Sequence, residues 1–112
     1  DYINLVDGTI GATDAAEDDF IVPVALTAGN MLVDVDVAPG AGNDDWKITL
    51  QEAGADTAVT CNIDETATTC NSAALTDAIA AGADMTIEVD SSGAGADPTA
   101  AAQLRVSFCF AP

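Results

Sequence analysis

The chain has 112 residues, enough for one domain and too few for two ordinary ones. Nineteen acidic residues stand against Lys47 and Arg105, with no histidine, so the formal charge is -17, which excludes nucleic acid as a partner and sets the chain against anionic membrane surfaces. Apolar residues make up 49 %, but 23 of these are alanine and only five aromatics are present, so the core is lean.

Residues 1–19 form a region of their own: a strand-like piece and then an acidic link, Gly11-Ala12-Thr13-Asp14-Ala15-Ala16-Glu17-Asp18-Asp19. Ile3 and Leu5 can share one face, and Tyr2, Ile3, Leu5 and Val6 are the candidate self-assembly residues. An apolar strand on such a tether pairs either with its own domain or with a neighbour's.

Residues 20–112 read as an all-β domain. A short strand at 20–24 is confined to an edge or a bulge by Pro23. Met31, Val33, Val35 and Val37 alternate with Leu32, Asp34 and Asp36, the pattern of a half-buried strand with water on one side. Trp46, Ile48 and Leu50 alternate with Lys47, Thr49 and Gln51 in the same manner, after the breaker Ala38-Pro39-Gly40-Ala41-Gly42-Asn43. Beyond Ala53-Gly54 the alternation returns at Val59, Cys61 and Ile63. Cys61 and Cys70 flank an apparent hairpin turn with Ile63 opposite Thr68, which predicts a cross-strand disulfide, with two buried thiols as the alternative. Residues 72–83 predict strand or turn with at most one helical turn.

Met85, Ile87 and Val89 form a further strand after Ala81-Gly82, and Leu104, Val106, Phe108 and Phe110 form the last, after a breaker at 91–98. Trp46, Phe108 and Phe110 are expected in the core. Cys109 has no evident mate and reads as a buried free thiol, with an intermolecular link as the alternative. Strands punctuated at this spacing predict an antiparallel sandwich or barrel in one domain, and the reading adopted is an all-β, jelly-roll-like β-sandwich.

Catalytic chemistry is sparse. Without histidine there is no Ser-His or Cys-His dyad and no conventional zinc site. Asp18-Asp19, Asp34 with Asp36, and Asp44-Asp45 are carboxylate pairs, but no sugar platform accompanies them. The glycine loops lack the Gly-Lys-Ser/Thr ending of a phosphate loop. The chain is therefore not expected to be an enzyme or to need a cofactor. Calcium is the one ion that the composition suits, and Asn43, Asp44 and Asp45 are its candidate ligands, followed by Asp34 with Asp36.

A disulfide implies export. No secretory signal opens the chain, so an exported protein is expected here in its mature form, and no run of about eighteen apolar residues offers a membrane span. Fifteen Asp, four Glu and almost no Lys suit brine or seawater, where salt screens the surface.

About four-fifths of the chain also resembles a small β-sandwich module recurring in phage fibre and bacterial surface proteins. The likeness is carried by Val22-Pro23, the 38–43 breaker leading into residues 46–50, Asp56-Thr57-Ala58-Val59-Thr60-Cys61, Ala67-Thr68-Thr69-Cys70, and Ala80-Ala81-Gly82 leading into 85–89. It departs at Asp64-Glu65, where the module places Ser-Gly, and in its acidity. The resemblance implies a fold more strongly than a task. Together these features predict a structural subunit of an extracellular filament or virion surface that assembles with copies of itself by β-edge pairing or strand donation. The alternative is the head of a phage fibre or adhesin that binds a host glycan or surface protein through loops 38–45 and 91–98.

Overall fold

The computed structural model describes residues 2–3, 10–11, 20–40, 45–91 and 103–112, with side chains from residue 20 onward. The alternating runs become strands, and ten are described: β1 (Tyr2–Ile3), β2 (Ile10–Gly11), β3 (Phe20–Ile21), β4 (Leu26–Val35), β5 (Trp46–Glu52), β6 (Ala55–Ile63), β7 (Thr69–Asn71), β8 (Thr76–Ile79), β9 (Asp84–Ser91) and β10 (Leu104–Ala111). They form two antiparallel sheets. One runs β2-β1-β9-β5-β6, with β3 also on β9; the other runs β10-β4-β7, with β8 also on β4. The chain is a β-sandwich.

The core follows from period two. Met31, Val33 and Val35 from β4 meet Trp46, Ile48 and Leu50 from β5, Val59, Cys61 and Ile63 from β6, Ile79 from β8, and Met85, Ile87 and Val89 from β9. Burying one such aliphatic side chain contributes about 1.5–3 kcal/mol, so these rows stabilise the fold despite the shortage of aromatics.

The β5–β6 connection is a tight hairpin closed by Glu52 opposite Ala55. Ala53 and Gly54 both take positive φ, 51° and 75°, as a primed two-residue turn requires. Most other links cross between the layers.

Several expectations change in register. β4 begins at Leu26 and ends at Val35, leaving Val37 exposed. Its start was hidden by Ala28, Gly29 and Asn30, which carry no alternation. Asn30 takes φ 48°, and Asn30 and Met31 together stand against the single Phe108 where the β4–β10 register shifts. β5 is central in its sheet, so its polar face is not open to water: Thr49 and Gln51 are buried beneath cross-strand hydrogen bonds, Thr49 to Thr60 at 3.1 Å and Gln51 Nε2 to Asp56 Oδ1 at 2.9 Å. Residues 72–83 contain β8 and two turns, with no helix.

The cysteine pair is joined, but not across a hairpin. Cys61 lies opposite Ile48 in one sheet and Cys70 opposite Val33 in the other, so the disulfide ties the two layers together with Cα atoms 5.8 Å apart. Ile63 pairs with Trp46, not with Thr68. Residues 64–68 turn the corner between sheets, with Ala67 N–H donating to Asp64 O at 2.7 Å and Val35 N–H to Thr68 O at 2.8 Å.

β7 and β8 share one edge of β4 and are separated by residues 72–75, the first of them Ser72. Its Oγ accepts from Met31 N–H, and its N–H donates to Met31 O, each at 2.9 Å. One buried serine thus completes the β4 ladder at the break.

Candidate functional site

The candidate self-assembly residues divide. The Tyr2 and Ile3 backbones form β1, which pairs in its own chain with β9, Tyr2 opposite Glu88 and Ile3 opposite Ile87, and with β2 on its other side. Leu5 and Val6 lie outside the described residues. β3 covers the adjoining stretch of the same β9 edge, Phe20 opposite Met85 and Ile21 opposite Asp84. Two strands of two residues each therefore finish this edge. Pro23 stands two residues beyond the end of β3, in keeping with an edge position.

At the mouth between the sheets, Phe20, Met85, Val106, Ser107, Phe108 and Phe110 line a groove of about 300 Å³. Phe108 and Phe110 stack with ring centroids 5.8 Å apart. Phe108 packs partly against the core, but Phe110 is 51 % exposed, so the expectation of a buried Phe110 fails. The alternation is right, but β10 is an edge strand and its aromatics line a groove at the rim of the sandwich. Cys109 is free and exposed, not buried, because it alternates with these aromatics and shares the outward face of β10 with Arg105 and Ser107.

Of the candidate calcium ligands, Asn43 and Asp44 lie outside the described residues. Asp45 uses Oδ1 to accept from Glu65 N–H at 3.1 Å. Asp34 Oδ2 accepts from Arg105 at 2.7 Å, and Asp36 Oδ1 accepts from Gln103 N–H at 2.7 Å. These last two carboxylates hold β10 and its approach against β4. Among the described residues no group of three or more Cys, Asp or Glu side chains is placed to hold a metal.

The outer face of the larger sheet carries a carboxylate cluster that sequence reading did not single out, because its members are distant in sequence. Asp56 and Glu88 face each other across the sheet, Lys47 Nζ lies 3.5 Å from Asp56 Oδ2, and Asp90 adds further negative charge. The Gln51 hydrogen bond, aided by Lys47, holds the Asp56 carboxyl below its ordinary value. Burial, followed by repulsion from Asp56 and Asp90, raises Glu88.

The two shifts have opposite consequences. Ionised Asp56 favours folding above its unfolded value, a contribution lost as pH falls through its lowered folded value. Protonated Glu88 favours folding at low pH, and that contribution is lost as pH rises through its raised value. Glu88→Gln is therefore expected to raise the thermal midpoint at neutral pH, by a screened effect below about 1 kcal/mol. The gain should vanish when melting is repeated below the ordinary Glu value of 4.5. A gain that persisted in acid would assign it to something other than charge.

Set against protein-family models, curated proteins and solved structures, the chain matches none.

Proposed function

We propose that the chain is a structural subunit of an extracellular filament or virion surface assembly, joined to its copies by β-edge pairing or by exchange of the N-terminal strand. The observation that supports this is β1, bonded to β9 through two residue pairs, in an N-terminal segment that the sequence joins to the rest of the domain by the acidic link at 11–19. A strand so held makes the same bonds on a neighbour's β9 as on its own, so exchange links copies without new contacts. The disulfide fits an oxidising, extracellular setting. Loops 38–45 and 91–98, which a receptor- or glycan-binding head would use, fall largely outside the described residues, and no observation favours that role.

With -17 on each copy, close approach requires screening, so assembly is expected at high ionic strength or with divalent cations and should weaken in dilute buffer. Deleting residues 1–10 tests the exchange. In concentrated salt the full chain should give ordered polymers in electron micrographs and the truncated chain folded, soluble monomers. Polymers unchanged by the deletion would overturn strand exchange.

A further inference from the structure

We infer that the outer edge of β10 receives β10 of a second copy, the two strands running antiparallel about a two-fold axis at Cys109. This rests on the self-assembling reading and specifies which edge meets which.

β10 pairs with β4 along one side, and among the described residues no strand pairs with its other side. Exposed edges are ordinarily blunted by charge, by proline or by being short. β10 has eight residues, no acidic residue and no proline. The extra residue of the local bulge belongs to β4, since Asn30 and Met31 oppose Phe108 alone, so the outer side of β10 keeps its regular alternation.

Charge selects the partner. β4, β5, β6, β8 and β9 each carry at least one carboxylate. β10 carries Arg105 alone, and that guanidinium lies 2.7 Å from Asp34 Oδ2, neutralising the nearest acid across the pair. Two copies at -17 repel least where both surfaces lack acid. An isologous contact places β10 against β10 and satisfies both edges at once.

The apolar surface agrees. Phe110 and Phe20 are 51 % and 44 % exposed at the groove mouth, and a strand added beside β10 would cover them. Centring the pair on Cys109 sets Phe108 of each copy opposite Phe110 of the other, the aromatic cross-strand pairing that stabilises sheets. It also sets the two Cys109 residues directly opposite. Directly opposed Cα atoms lie about 4.5–5.5 Å apart, within disulfide reach, so Cys109 reports on the contact.

The test uses the full chain in concentrated salt, treated with diamide. This oxidant takes two electrons and two protons from a pair of thiols as their sulfurs bond. Expected is a covalent dimer on non-reducing gels whose cross-linked peptide joins Cys109 to Cys109, with Cys109→Ser giving none. Phe110→Ser, at a half-exposed position that leaves the fold intact by circular dichroism, should slow the cross-link by about ten-fold or more, the scale for removing an interface aromatic.

Slow cross-linking, indifferent to Phe110→Ser, in a sample that still shows polymers in micrographs would overturn the β10 contact and leave self-assembly standing. A chain that sediments as a monomer at every salt concentration would overturn both. In a chain carrying Ile3→Cys, a link between copies from the introduced thiol to Cys109 that displaced the Cys109 pair would assign the edge to the N-terminal strand and overturn the two-fold contact.

Discussion

Leu50→Ala is expected to lower the unfolding free energy by roughly 2–5 kcal/mol, the range for truncating a fully buried leucine. Leu50 has no exposed surface and sits on β5, between β6 and β9, directly opposite Ile87. Its backbone is fixed as well as its side chain, since Thr57 Oγ1 donates to Leu50 O at 2.7 Å. The core it belongs to includes Met85 and Ile87 of β9 and Met31 and Val33 of β4, strands paired on both sides, which restricts collapse into the space left behind. A small domain has about 5–15 kcal/mol in total, so this change removes a large share. Urea unfolding followed by Trp46, a single tryptophan with 4 % exposure, reads it directly. A loss below about 1 kcal/mol would show that the site closes around the alanine.

The same rows are legible in the sequence alone. Ile48, Leu50, Met85, Ile87 and Val89 are buried where the alternation placed them, because the side-chain period of a strand depends on backbone geometry alone. The partner of each strand was not legible. Cys61 and Cys70 are nine residues apart, a separation that suits a hairpin and equally a corner between layers. Choosing between them requires knowing that β6 already pairs with β5, and an alternation does not encode its partner.

Polar anchors escaped for the same reason. Ser72 bonds to Met31 across 41 positions, and Asp56 meets Glu88 from a different strand. Alternation also fails to distinguish a central strand from an edge. This is why alternation assigns Thr49 to water although it is buried, and Phe110 to the core although it is half exposed. The Tyr2–Ile3 strand is visible as an apolar run, but its pairing with β9 is not, since no residue pattern names a strand's partner.

Removing the disulfide with Cys61→Ala and Cys70→Ala together should lower stability by about 2.5 kcal/mol, from the chain entropy of a loop of about ten residues. Cys61 lies in β6 and Cys70 in the three-residue β7, whose own ladder to β4 comprises Leu32–Asn71, Val33–Cys70 and Asp34–Thr69. Apart from that ladder and the flanking Thr68 and Ser72 bonds to β4, the disulfide is what ties so short a strand to the other layer, and reduction should loosen it first. Amide exchange at Cys70 and Asn71 is expected to accelerate more than exchange at Ile48 or Ile87, which lie in strands paired on both sides. The unfolded chain also becomes less constrained, so the denaturant dependence should steepen slightly. Dithiothreitol should reproduce the loss in the native chain, leave the double variant unchanged, and leave Cys109→Ser responding as the native chain does. Coincident unfolding of the oxidised and reduced native chain would mean that hydrogen bonding and apolar packing alone hold the layers together.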